Sequence, residues 1–184
     1  DTDVILFNID SKAEAKAGRD AILAVFLKVL NDMQGYCPDH PHIAHMERHL
    51  ESKGKLDTFR DAFRDAGGGN WVTERDAYDY YHDQVIEAWC AATGQSKEAA
   101  EKWIDGAENN FSLTVENFAK WVKAYLDSKG DGRRIIFLVD EVGQFIGDDS
   151  HLMLNLQTIT EELGTVCQRR AWVVVTSQED MDSV

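Results

Sequence analysis

The sequence has few cysteines and no long apolar run. Its three cysteines are scattered over 184 residues, so they do not form a disulfide framework and are typical of a reducing compartment. No apolar run approaches the roughly 18 residues that a membrane span needs, and no signal peptide is recognisable. We therefore expect a cytoplasmic protein without a membrane partner.

Cations are also scarce. Lys and Arg total 19 against 33 Asp and Glu, a formal net charge of -14. Because nucleic-acid backbones are bound by clustered cations, this balance argues against direct nucleic-acid binding by the chain. Hydrophobic residues make up 43% of the sequence, and its length suits one domain with a real core.

Three short apolar runs predict the strands of a parallel sheet, and hence an α/β fold. They lie near residues 3–9, 135–140 and 171–177, and each is nearly continuous rather than alternating. Continuous runs are typical of strands that are covered on both faces. Helical spacing of apolar residues follows the first and second runs, so right-handed strand–helix–strand crossovers are the simplest assembly.

A long stretch without a convincing strand separates the first two runs. We interpret residues 36–130 as a helical insertion within a single domain, whose α/β core comprises residues 1–35 and 131–184. Ser96 and Thr114 are predicted to cap two of its helices.

A third helix of the insertion is predicted to begin at the N-cap Thr73. It would carry Tyr78, Tyr81, Val85 and Trp89 on one apolar face.

Polar residues end all three predicted strands. They are Asn8 and Asp10 after the first, Asp140 and Glu141 after the second, and Thr176, Ser177 and Gln178 after the third. In a parallel sheet these ends lie at one edge, where the ligands of open α/β folds bind. The sequence therefore predicts one shared site.

Residues 135–141, Ile-Ile-Phe-Leu-Val-Asp-Glu, resemble a Walker B motif with its catalytic glutamate. At the tip of a buried strand, Asp140 would hold Mg²⁺ through water, and Glu141 would orient or deprotonate the attacking water. The alternative is an acid that only caps the following turn. Residues 172–178 resemble the sensor-1 strand of AAA+ and related ATPases, which implies that Thr176, Ser177 or Gln178 contacts the nucleotide.

The phosphate-binding loop G-x-x-x-x-G-K-[ST] is absent from the sequence. In P-loop ATPases of the additional-strand type, this loop follows a strand that precedes the run at residues 3–9. We therefore expect the sequence to be a piece of a longer ATPase, a partial three-layer P-loop core with an insertion. On this mapping, Asn8 or Asp10 lies where some AAA+ proteins keep a polar partner for the catalytic glutamate.

Three blocks, residues 7–13, 136–147 and 173–179, resemble the BrxC/PglY family, the large P-loop ATPases of BREX phage-resistance systems. The resemblance implies a bacterial ATPase that works in antiphage defence with other BREX components, including a DNA methyltransferase. It implies ATP and Mg²⁺ as cofactors of the full-length protein, with neither bound by this piece alone. Self-association through an exposed strand edge is a further expectation.

Two other functions are consistent with parts of the pattern. A non-catalytic α/β interaction module would bind protein partners through the acidic helical insertion. A receiver-like phosphoacceptor domain also clusters acids at strand ends, but it normally needs a Lys after a later strand, and no Lys follows Lys129.

A cluster of potential metal ligands lies at the start of the insertion. Its members are Cys37, His40, His42, His45 and His49, within thirteen residues. Such spacing can bind zinc, but a structural zinc site usually pairs two ligands on a knuckle with two distant ones, and no second knuckle is present. We favour exposed histidines that hold no metal.

Overall fold

The computed structural model describes residues 1–9 and 20–177. In chain order, the elements of this part are β1 (Thr2–Asn8), α1 (Ala21–Gln34), α2 (Pro41–Ser52), α3 (Leu56–Phe63), α4 (Trp71–Glu74), α5 (His82–Thr93), α6 (Lys97–Asn110), α7 (Val115–Ser128), β2 (Arg134–Asp140), α8 (Val142–Ile146), α9 (Ser150–Val166) and β3 (Ala171–Val175). A π-helical turn follows α3 and a 3₁₀ turn follows α4. Within these residues, no helix has the length and apolar character needed to cross a membrane.

The three strands form one parallel sheet with the order β1-β2-β3. Their register pairs Asn8 with Asp140 and Val139 with Val175. The predicted mixed α/β class and the parallel pairing are confirmed, and the strand bounds differ from the predicted ones by one or two residues.

Helices α1 and α7 pack on one face of this sheet. The ring of Phe26 in α1 lies 5.4 Å from that of Phe7 and 5.1 Å from that of Phe137. The ring of Phe118 in α7 lies 6.0 Å from that of Phe137, and α9 packs against α7. Strands that follow one another across a sheet by right-handed crossovers place their connecting helices on the same face, which accounts for the arrangement.

The opposite face of the sheet is open in the part of the chain that the structure describes. Val4 and Leu6 of β1 are 58% and 67% exposed, and Trp172 and Val174 of β3 are 54% and 45% exposed. The prediction that the strands are covered on both faces is therefore wrong for these residues. The described part of the sheet and its helices form two layers rather than three, because the sequential strand order places the connecting helices on one side.

Residues 34–111 form a second compact unit, separate from the unit made by residues 1–33 and 112–184 as far as these are described. This unit is shorter than the predicted insertion, 36–130. The difference arises because α7 belongs to the first unit, where Phe118 packs against Phe26 and Phe137.

A buried carboxylate stabilises the second unit. Glu47 has no exposed surface and accepts hydrogen bonds from the Cys37 backbone N–H at 2.6 Å and from Trp71 Nε1 at 2.8 Å. Arg75 Nη1 also donates to it, at 3.0 Å. A buried charge is tolerated only when it is paired and hydrogen-bonded, as Glu47 is here.

Two of the predicted helix starts are confirmed and one is wrong. The side chains of Ser96 and Thr114 cap α6 and α7. The helix predicted to begin at Thr73 is interrupted by turns between α4 and α5, and α4 itself begins after the N-cap Asn70. The side-chain oxygen of Asn70 accepts from the backbone N–H of Val72, which starts the helix before Thr73.

Candidate functional site at the carboxyl edge of the sheet

The carboxyl ends of the three strands lie side by side. Asn8 and Asp140 are register partners at the ends of β1 and β2. Beyond β3, the Thr176 N–H donates to the Val139 carbonyl at 2.9 Å, and the Thr176 carbonyl accepts from the Val142 N–H at 3.1 Å. The backbone therefore holds these polar residues at one edge.

Two pairs of side chains at this edge are joined by hydrogen bonds, and a backbone N–H links the two pairs. The Thr176 hydroxyl donates to Asp140 Oδ1, which also accepts from the Glu141 backbone N–H at 3.1 Å. The Asn8 amide donates to Glu141 Oε2. The structure thus brings together Asn8, Asp140, Glu141 and Thr176, whose roles in binding or catalysis stay predictions.

Glu141 has an uncommon backbone conformation. Its φ of 60° and ψ of 33° lie in the left-handed region, which costs a non-glycine residue roughly 1–2 kcal/mol. Such conformations cluster at functional sites, where the surrounding structure enforces them.

The side chain of Glu141 does not cap the following helix. The residue occupies the N-cap position of α8, yet it makes no side-chain hydrogen bond to the helix backbone. Its carboxylate instead accepts from Asn8. This geometry counts against an acid whose only role is to cap the next turn.

The structure shows less about the remaining predicted site residues, Ser177, Gln178 and Asp10. Ser177 is half-buried and directly follows Thr176. Gln178 and Asp10 lie outside the described residues. The sequence allowed Asn8 or Asp10 as the partner of the glutamate, and the parallel register explains why Asn8 reaches it, since Asn8 lies opposite Asp140.

The site is acidic. Asp140 is exposed and Glu141 is half-buried, and neither forms an ion pair with a cation in residues 1–9 and 20–177. Arg133 pairs with Asp3 at the opposite, amino edge of the sheet. Among residues 1–9 and 20–177, the site therefore offers oxygen and amide groups suited to a hard cation and to water, but no positive charge for a phosphate.

The histidine cluster packs against aromatic rings, and the prediction that its histidines are exposed is wrong for His42, which is buried. The rings of His40 and His42 each lie 5.1 Å from that of Tyr78, and His49 stacks on Trp89 with ring centroids 6.1 Å apart. Among the residues placed by the structure, no group of three or more His, Cys, Asp or Glu side chains is arranged to hold a metal ion. Burial raises the pKa of the Cys37 thiol to about 12, which disfavours the thiolate that a metal would need.

No protein-family model matches the chain, and no solved structure matches it significantly.

Proposed function

We propose that this chain supplies the Walker B and sensor-1 strands of a P-loop ATPase. The observation that carries the proposal is the hydrogen-bonded group at the carboxyl edge. Two adjacent carboxylates stand at the end of the central strand. The neighbouring strand ends supply an amide to Glu141 and a hydroxyl to Asp140. An acid that only ended a strand would not need polar partners from both neighbouring strands.

Asp140 is suited to hold Mg²⁺. Its exposed carboxylate stands at the tip of the central strand, and the Thr176 hydroxyl orients one of its oxygens. Magnesium keeps several waters and takes one or two carboxylates together with substrate phosphates, so a single carboxylate at this edge fits its usual ligand set. When bound, the ion would neutralise the charge that develops on the transferred phosphoryl group.

Glu141 is suited to act on water. Its carboxylate is held by the Asn8 amide rather than by the helix that follows, so it stays available at the edge of the sheet. A carboxylate in this position orients or deprotonates a water that attacks the γ-phosphate. Thr176 or Ser177, directly after β3, would contact that phosphate or water.

The remaining parts of the proposal come from the resemblance to the BrxC/PglY family. On this basis we place the ATPase in bacterial antiphage defence, in the cytoplasm, with other BREX components as partners. The G-x-x-x-x-G-K-[ST] loop would be supplied by a segment outside these 184 residues. ATP and Mg²⁺ would be bound only when that loop is present.

Calorimetry with Mg²⁺ and ATP tests whether nucleotide binding requires the phosphate-binding loop that these 184 residues lack. The 184-residue chain alone should give no saturable heat at micromolar concentrations, because most phosphate affinity comes from the loop's backbone N–H groups and its Lys. The complete gene product should bind ATP, and Asp140→Ala should weaken the Mg²⁺-dependent part of that binding. A gene product without the loop, or one that does not bind ATP, would contradict the proposal, as would saturable binding by the chain alone.

A further inference from the structure

The open face of the sheet carries a continuous apolar surface. Its six side chains form two rows across the strands, Val4, Ile136 and Trp172 in one row and Leu6, Leu138 and Val174 in the other. We call these six residues the apolar face. Contiguous apolar patches of this kind mark interaction surfaces, and parallel sheets are almost always covered on both faces.

The ends of the apolar face carry opposite charges. Alternate residues of a strand point to the same side, so Arg134 and Asp140 of β2 belong to the face that contains Ile136 and Leu138. Both end residues are exposed, and neither forms an ion pair within residues 1–9 and 20–177. One end is therefore positive and the other negative.

We propose that the apolar face packs against the same face of a second copy of this chain, with the strands of the two sheets antiparallel. A two-fold axis in the plane of the interface, perpendicular to the strands, generates this arrangement. It places Arg134 of each copy opposite Asp140 of the other. The parallel arrangement would instead bring like charges together at both ends, which costs free energy.

The antiparallel arrangement also matches side-chain sizes. The two-fold axis brings Trp172 of one copy over Val174 of the other, and Leu6 over Val4, in the register that the strands define. Large side chains facing small ones fill the space between two packed layers without voids.

The size of the face indicates a weak dimer. From the strand rise and spacing, its footprint is roughly 20 Å by 14 Å. Stable complexes bury about 800 Å² of accessible surface on each partner, and this face offers less unless its rim contributes. The net charge of -14 on each copy also opposes association. We therefore expect dissociation in dilute solution.

Sedimentation velocity of the full chain tests the interface directly. Over about 5–500 µM protein, in about 0.3 M NaCl to screen the net charge, wild type should change from monomer to dimer. Leu6→Lys, which places a charge in the apolar face, should stay monomeric throughout. Leu154→Lys is the matched control, because Leu154 is 59% exposed but lies on α9, and it should dimerise like wild type. Circular dichroism checks that each variant is folded.

Charge reversal tests the antiparallel arrangement. Arg134→Asp and Asp140→Arg should each weaken the dimer by about tenfold, and the double variant should restore it. A wild-type chain that stays monomeric overturns the proposal. Oligomers that persist in Leu6→Lys also overturn it, since they indicate pairing through strand edges. The proposal does not rest on the ATPase function. It concerns the chain without bound Mg²⁺, because Asp140 cannot hold the ion while it is paired with Arg134 of the other copy.

Discussion

His42 is a buried histidine whose protonation opposes folding. Its side chain is 6% exposed, in contact with the rings of Tyr78 and His40. Burial lowers the pKa of His42, Glu108 and Asp79 act in the opposite direction, and the nearby His40 lowers it further. The neutral form is therefore favoured in the folded protein.

The sign of the pH dependence follows from this shift. In the unfolded chain His42 titrates near pH 6.5, above its pKa in the folded protein, so below that pH the unfolded chain binds more protons. The contribution of His42 to the free energy of unfolding should stay level above about pH 7.5 and fall as the pH drops through 6.5 towards the folded-state pKa. Urea unfolding followed by tryptophan fluorescence at several pH values measures this.

A substitution isolates the contribution of His42. His42→Phe keeps a ring against Tyr78 and removes the proton, so it should flatten the slope between pH 7.5 and 5.5. Part of the slope should remain, because burial also lowers the pKa of His45. His151→Phe, at an exposed position on α9, is the control and should leave the slope unchanged. An identical slope in His42→Phe and wild type would contradict this interpretation.

The residues of the candidate site could be selected from the sequence, but their detailed geometry could not. Asp140, Glu141 and Thr176 were identifiable because each follows an apolar strand, and a parallel sheet collects such ends at one edge. The left-handed backbone of Glu141 carries no signal in composition or periodicity. It depends on how the chain turns from β2 into α8. The contact of Asn8 with Glu141 depends instead on the register of β1 against β2.

Among the elements, the strands were predictable and their environment was not. Short apolar runs ending in polar residues locate β1, β2 and β3. The same runs also led to the wrong inference that both faces are covered, because a continuous apolar pattern is identical whether the outer face meets a helix or solvent. Residues such as Leu6 and Trp172, which made the runs continuous, lie on the open face.

The helices also have some features that the sequence predicts and others that it does not. The caps at Ser96 and Thr114 are local interactions between residues three apart, so the sequence contains them fully. The break after α4 and the end of the second unit at residue 111 depend on distant packing. Trp71, for example, is fixed by its hydrogen bond to Glu47, which no local pattern reveals.

Two glycines give a matched test of this packing. Gly68 is buried, and a Cβ there would overlap the ring of Phe63, which is itself packed against Trp71 and Tyr81. Gly68→Ala should lower the free energy of unfolding by about 1–3 kcal/mol, because this ring cannot move freely. Gly164, inside α9, has no atom within 4 Å of such a Cβ, so Gly164→Ala should raise it by about 0.5–1 kcal/mol.

Urea unfolding of both variants, with wild type alongside, measures these opposite changes. Equal effects of the two substitutions would show that Phe63 yields, and that the π-helical turn ending at Gly68 is not fixed by the core of the second unit.

Across the whole molecule, each of the two units matters for a different functional hypothesis. The two hydrogen-bonded side-chain pairs at the carboxyl edge, Asn8 with Glu141 and Thr176 with Asp140, belong to the first unit. Residues 34–111 contribute none of these side chains. An ATPase therefore depends on Asp140 and Glu141 whatever the second unit does. A non-catalytic interaction module depends on the acidic second unit and is indifferent to the charge of Glu141.

ATP turnover by the complete gene product, compared between wild type and Glu141→Gln, distinguishes these accounts most directly. The amide keeps the shape of the side chain but cannot accept a proton, so turnover should fall by at least about 10²-fold while ATP binding is retained. Glu161→Gln, at an exposed position on α9, is the control and should hydrolyse ATP like wild type. Turnover in Glu141→Gln within about twofold of wild type would contradict the assignment of Glu141 as the catalytic base.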